Sequence, residues 1–114
     1  MAQVIITERL KEEIEKKFKG ESVKIFELMR SLENSPHKGK FIGQVGGIVV
    51  KEIRYGGCFR FYFITDGYKL KVLGQEELKG LLIKFVRMSD KKDQQKVIDE
   101  IKHVLRNFGE GNFQ

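Results

Sequence analysis

A run of alternating side chains in the middle of the chain places the strongest constraint on its fold. Phe59, Phe61 and Phe63 alternate with Arg60 and Tyr62, and this period of two predicts a β-strand with two unlike faces. Three phenylalanines on one face indicate the buried side of a sheet, because an exposed patch of that size would be unfavourable. Arg60 and Tyr62 are therefore expected on an open face.

Turn residues on both sides of this run extend it into a sheet. Gly56-Gly57 predicts a hairpin that joins residues 59–65 to a preceding strand over residues 45–55. Asp66-Gly67 predicts a second hairpin into a strand over residues 68–73, and residues 81–86 form a further apolar run. Gly43 to Gly47 is interpreted as a turn with a bulge. The sequence thus predicts three or four antiparallel strands.

Basic residues of these strands are expected to gather on the face of Arg60. Alternation places Lys69 and Lys71 there. Whether Lys51 or Arg54 joins them depends on the register across the Gly56-Gly57 turn, which the sequence leaves open. The intervening positions expected in the core are Tyr68, Leu70 and Val72. A simpler role for Arg60 is a surface ion pair with Glu52 across the sheet.

Helical periodicity dominates the two ends of the chain. After a short strand over residues 2–7, Thr7 is a candidate N-cap for a first helix, and a second helix spans about residues 21–33. A last helix ends at Gly109, and residues 110–114 are expected to fray. Its apolar stripe is Val97, Ile98, Ile101, Val104, Leu105 and Phe108, and the second helix is expected to bury Val23 among others. The prediction is one α+β domain over residues 1–114: a short N-terminal strand, a helical hairpin, the sheet and a C-terminal helix.

The charge distribution indicates a polyanionic partner. Lysines and arginines number 22 against 16 acidic residues, a net charge of +6. Residues 40–92 hold eleven basic and five acidic side chains, so the whole excess lies on this segment. Such a surplus favours nucleic acid as the partner. The candidate RNA-binding residues are Lys51, Arg54, Lys69, Lys71, Lys84 and Lys92.

Several classes of protein are disfavoured. Cys58 is the single cysteine, which excludes an internal disulfide and a zinc site built from cysteines. His37 and His103 lack metal-ligand spacing, so no metal is expected. No apolar run approaches the roughly 20 residues that span a bilayer. The expected location is the cytoplasm, with no membrane contact.

An ordered set of short motifs resembles the toxins of the RelE/ParE superfamily, and most closely their HigB-like branch. The resemblance begins at Pro36 and extends to Leu105. The matching residues are Pro36, Gly39-Lys40, Glu52-Ile53-Arg54, the Gly-Gly turn into Phe59-Arg60-Phe61-Tyr62, Lys84-Phe85-Val86-Arg87, Ser89 and Lys91.

The resemblance implies a ribosome-dependent mRNA endonuclease that needs no metal and no small-molecule cofactor. Its partners would be mRNA on the ribosome and a cognate antitoxin protein. Arg60 matches the sheet arginine that faces the scissile phosphate, Arg87 and Lys91 match basic positions before the last helix, and Arg54 matches a partly structural arginine. The Tyr or His that many members carry near the C-terminus is missing, and Tyr62 and His103 are the available substitutes.

Two other functions fit the same residues. The first is a non-catalytic protein of this fold that binds RNA or a protein partner through its basic sheet face. The second is an inhibitor of DNA gyrase, as in the ParE-like toxins.

Overall fold

A mixed five-stranded sheet runs through the computed structural model, which describes residues 2–72 and 80–113. Its strands are β1 Gln3–Ile6, β2 Lys40–Val45, β3 Ile48–Tyr55, β4 Phe59–Asp66 and β5 Leu82–Asp90. Their order across the sheet is β1-β5-β4-β3-β2. The pair β1 and β5 is parallel, and the other three pairs are antiparallel. The α+β class is confirmed, and the sheet is mixed because the N-terminal strand β1 adds to four antiparallel strands through a parallel pairing with β5.

Four α-helices accompany the sheet in the described residues: α1 Glu8–Phe18, α2 Ser22–Arg30, α3 Gly67–Val72 and α4 Gln94–Phe108. Three 3-10 turns accompany them, over Lys19–Glu21, Ser31–Glu33 and Glu110–Asn112. The N-cap prediction at Thr7 is confirmed, because its hydroxyl accepts a hydrogen bond from the Leu10 amide at 3.4 Å. Gly109 ends α4 at a φ of 81°, a conformation that favours glycine.

Two hairpin turns order the middle of the sheet. The predicted turn at Gly56-Gly57 is confirmed, and Tyr55 lies opposite Phe59 across it. Val45 lies opposite Ile48 in a second hairpin, so the turn expected within residues 43–47 lies at residues 46–47, and the strand expected from residue 45 begins at Ile48. The bulge expected nearby lies between Phe41 and Gly43. β2 was not predicted from the sequence, because Gly43 interrupts its strand pattern.

The strand predicted over residues 68–73 is wrong. Residues 67–72 form α3, and the carboxylate of Asp66 accepts a hydrogen bond from the Lys69 amide at 3.0 Å. This contact satisfies a free amide of the first helical turn, as an N-cap does. Tyr68 and Val72, expected in the core, are exposed. The sequence also predicts a loop or insertion over residues 74–80; residue 73 and residues 74–79 of that segment lie outside the described residues.

Both faces of the sheet are buried, each by its own helices. On one face, Phe61, Phe63 and Phe85 pack with residues of α1 and α2. On the other face, Tyr62 and Ile64 pack with residues of α4. We call these the α1/α2 face and the α4 face. The inward phenylalanines are confirmed, but the open second face is wrong because α4 covers it.

The C-terminal segment also differs from the expectation. Phe113 is buried against the α4 face rather than frayed. Phe108, placed in the apolar stripe of α4 by its spacing, is exposed, and so is Val23 of α2. No helix in the described parts of the chain is long and apolar enough to cross a membrane.

Candidate functional site

The strand register brings charged residues together at one end of the α4 face. Arg54 lies opposite Arg60, and Glu52 lies opposite Tyr62. Directly paired residues share a face, so Arg54 joins Arg60 while Lys51 lies on the α1/α2 face. The register that the sequence left open is thereby decided.

Glu52, Arg54 and Arg60 form what we call the ionic cluster. The Oε2 atom of Glu52 lies 3.7 Å from the Nε of Arg54 and 3.7 Å from the Nε of Arg60. These distances give an ion pair without a hydrogen bond, and both oxygens of Glu52 and the Nε of Arg60 lack a hydrogen-bond partner among the described residues. The Glu52 side chain is 0% exposed, whereas that of Arg54 is 52% exposed. The cluster is therefore buried at Glu52 and open to solvent at Arg54.

Arg60 is held beneath its own hairpin turn. It is 3% exposed, and its Nη1 donates hydrogen bonds to the carbonyl of Cys58 at 2.8 Å and to that of Gly57 at 3.4 Å. The expectation of a surface arginine is wrong, because the guanidinium folds back on the turn. Its pairing with Glu52 is confirmed as a buried pair rather than a surface one.

Tyr62 lies beside the ionic cluster and is 0% exposed. Its hydroxyl shares a hydrogen bond of 2.8 Å with the hydroxyl of Ser89. Burial raises the pKa of Tyr62 above its ordinary value of 10.0, although the Ser89 hydrogen bond acts in the opposite direction. Tyr62 is therefore a neutral phenol at physiological pH, and the expectation of an exposed tyrosine is wrong.

Arg87 joins the last strand to α4. Its Nε donates to Glu100 at 2.8 Å, and its Nη1 donates to the carbonyl of Val86 at 2.7 Å. The same guanidinium lies 5.3 Å from the ring centre of Phe113, a cation–π distance. Three contacts thus occupy Arg87, which is buried.

The predicted lysines do not gather on one surface. Lys91 and Lys92 are exposed in the turn between β5 and α4, directly after Asp90, which lies opposite Phe59. This places them at the same end of the sheet as the ionic cluster. The other predicted lysines are elsewhere: Lys51 on the α1/α2 face, Lys69 and Lys71 on α3, and Lys84 on β5 with its Nζ 3.4 Å from the carbonyl of Glu110. The single basic face is wrong, because α3 replaced the strand that was to carry two of its lysines.

Glu52, Ser89 and Glu100 were not recognised as site residues from the sequence. Glu52 was considered only as a partner of Arg60, yet it is the acid at the centre of the cluster. One signal was present: Glu52 follows Ile48 and Val50 on one face of a strand that begins with three consecutive apolar residues. An acid in such a strand is buried, and buried acids are paired.

The chemistry open to this arrangement is proton transfer combined with anion binding. A carboxylate with free lone pairs accepts a proton from a nearby hydroxyl. A guanidinium group can bind two phosphate oxygens at once and stabilises negative charge that develops on them. In the described residues, no group of three or more His, Cys, Asp or Glu side chains is placed to hold a metal ion.

Comparisons with known proteins add no assignment. No protein-family model matches the chain, and no similar protein was found among curated proteins or solved structures.

Proposed function

We propose that the protein is the toxin of a toxin–antitoxin pair, a ribosome-dependent mRNA endonuclease with the RelE-like fold of the HigB branch. The ordered motifs from Pro36 to Leu105 support this proposal. The chain order of a strand, two helices, a sheet and a final helix is in keeping with it. The observation that carries it is the ionic cluster, in which two guanidiniums flank a carboxylate without hydrogen bonds.

The proposed reaction uses the 2′-hydroxyl that only RNA supplies. The carboxylate of Glu52 takes the proton of that hydroxyl, whose oxygen attacks the adjacent phosphorus and forms the new P–O bond. The bond from phosphorus to the 5′-oxygen of the next nucleotide breaks, and this oxygen leaves with a proton from solvent. Arg54 and Arg60 stabilise the charge that builds on the phosphate oxygens. The products are a 2′,3′-cyclic phosphate and a 5′-hydroxyl.

The contacts of the remaining predicted residues indicate a different role for each group of them. Lys91 and Lys92 are exposed at the same end of the sheet as Arg54 and are proposed to bind the RNA backbone. Arg87 is proposed as a positioning residue, because its guanidinium fastens α4 to β5. The hydroxyls of Tyr62 and Ser89 share a hydrogen bond of 2.8 Å beneath the cluster.

RNA can reach Glu52 and Arg60 only if the residues that cover them move, because both side chains are buried. A phosphate at the surface reaches Arg54, but Glu52 and Arg60 are covered. Arg60 is held by the carbonyls of Gly57 and Cys58, and Gly56 and Gly57 have positive φ angles of 63° and 78°. Opening this turn on the ribosome would release Arg60 from these carbonyls.

The burial of Arg60 and Tyr62 favours one alternative function. If the turn stays closed, the protein binds RNA or a protein partner through Arg54, Lys91 and Lys92 without cleaving. Binding to a single strand would then weaken with salt, with a log–log slope of about −0.7 for each phosphate contacted.

A translation reaction with purified ribosomes and a defined mRNA tests the proposal. We expect cuts in the ribosome-bound message, each with a 2′,3′-cyclic phosphate end, and growth arrest when the protein is induced in cells. Glu52→Gln should slow the cutting by about 100-fold or more, and Arg54→Met should slow it by about 100-fold. Arg30→Met, which removes an exposed arginine of α2, is the matched control and should cut normally.

Absence of cuts, together with salt-dependent RNA binding that Arg54→Met weakens, would support the non-catalytic function instead. Cuts that Glu52→Gln leaves unchanged would remove Glu52 from the mechanism.

A further inference from the structure

A groove of about 430 Å³ lies on the α1/α2 face, on the side of the sheet opposite the ionic cluster. Strands β2 and β3 form one side of it, and α3 forms the other. Phe41, Val49 and Leu70 supply apolar walls, Tyr68 stands at the rim, and Lys51 and Lys71 are its charged groups. Among the described residues that line it, none is Asp or Glu.

Gly67 holds α3 close to the strands and so shapes the groove. Its amide donates to the carbonyl of Gly47 at 2.8 Å. A Cβ at this position would come within 2.7 Å of a methyl carbon of Val49, so only glycine permits this approach. The wall formed by α3 is thereby fixed against β3.

Lys51 is a buried cation without an acidic partner among the described residues. It is 6% exposed, and its ammonium donates one hydrogen bond, to the carbonyl of His37 at 2.8 Å. None of the ion pairs in the described parts of the chain includes it. An ammonium has three N–H donors, so two remain for other partners. Burial lowers the pKa of Lys51, as expected for a cation removed from water.

The chemistry of the missing partner follows from the groove. Buried charges in proteins are normally paired, and one buried ammonium is neutralised by one negative charge. The apolar walls favour a ligand whose remaining surface is apolar, which disfavours a strongly hydrated phosphate. The volume is within the usual range for small-molecule sites.

We propose that this groove binds small monocarboxylates with an apolar or aromatic body, the carboxylate pairing with Lys51 and the body packing on Phe41, Val49 and Leu70. Lys71 at the rim adds a weaker attraction. The site does not depend on the ribonuclease proposal, because the ionic cluster lies on the other face of the sheet. Its test can therefore fail or succeed separately.

Titration of the ¹⁵N-labelled full chain with 3-phenylpropionate tests the site by NMR. We expect the amide signals of Val49, Gly67 and Leu70 to shift in a saturable way. The uncharged analogue 3-phenylpropionamide has the same body, and it should bind about tenfold more weakly or worse, since a hydrogen-bonded charge is lost. Equal binding of acid and amide would overturn the proposal.

Substitutions test which lysine pairs with the carboxylate of the ligand. Lys51→Met should abolish the preference for the acid over the amide. Lys71→Met and Phe41→Ala change exposed residues, which protects the fold, and each should weaken binding several-fold. The matched control is Lys24→Met, which removes an exposed lysine of α2 outside the groove and should bind like the parent. An equal loss in the control would attribute the effect to net charge and refute the site.

Two further outcomes would also refute it. If oligouridylate shifts the same signals and the acid does not, the groove is an RNA-binding surface. If the acid binds to the Glu76→Gln/Glu77→Gln variant and not to the parent, the chain's own carboxylates compete for the site. The parent protein then has no free site for a ligand.

Discussion

The centre of the α1/α2 face buries aromatic and aliphatic side chains alone, whereas the α4 face divides into an apolar half and an ionic half. Phe61, Phe63 and Phe85 have no polar atoms to satisfy. On the other face of the same strands, Glu52 and Arg60 are equally buried and keep polar atoms without hydrogen bonds. Apart from the buried Lys51, the α1/α2 face therefore serves stability, whereas the ionic half of the α4 face retains unsatisfied groups of the kind that cluster at functional sites.

The largest effect is expected from a truncation on the α1/α2 face. Phe61→Ala should lower the free energy of unfolding by about 3–5 kcal/mol, because it leaves a cavity among rings that cannot close it. Urea unfolding followed by circular dichroism measures the change. Phe108→Ala is the control, since this ring is exposed, and it should change stability by less than about 0.5 kcal/mol. Equal losses in both variants would contradict the assignment of the core.

A somewhat smaller loss is expected from breaking the ionic half of the α4 face. Glu52→Gln should lower stability by about 3 kcal/mol, because it leaves Arg60 buried beside an uncharged group. The double variant Glu52→Leu/Arg60→Met should recover stability to within about 1 kcal/mol of the parent, since apolar pairs replace buried ion pairs well. Both variants should lack ribonuclease activity. A double variant that is active, or no more stable than the single one, would remove the contrast between the two faces.

The smallest effect concerns Lys51 and depends on pH. Its pKa is lowered from 10.5 in the folded chain, so the folded state holds this proton less tightly than the unfolded state. The resulting destabilisation is complete below the folded pKa and is relieved as pH rises from there to 10.5. The stability of the parent should therefore rise relative to Lys51→Met over this alkaline range. Tyrosine titration contributes to both proteins and cancels, so a difference that is constant with pH would contradict the prediction.

Strand alternation predicted which residues share a face of the sheet, but not which element covers each face. It placed Phe61 and Phe63 inward, and the Gly56-Gly57 turn joined the right strands. The apolar residues Val50, Tyr62 and Ile64 on the second face were a sign that this face is also buried. The amphipathic last helix needed a surface to cover, and that face was the one available.

Local ambiguity accounts for the error at α3. The pattern Tyr-Lys-Leu-Lys fits a strand by its alternation, and over so few residues it fits a helical turn as well. Asp66 decided between them, since its side chain caps the amide of Lys69. The position of Arg60 could not be predicted, because it depends on carbonyls of the turn whose directions only the three-dimensional structure gives.

The parallel pairing of β1 with β5 has a consequence for synthesis. Gln3 lies opposite Leu82, so β1 can form its backbone hydrogen bonds with β5 only after β5 has been synthesised. Such distant pairing forms slowly and late in folding. A ribosome-bound chain that has not yet reached residue 82 therefore cannot complete the sheet.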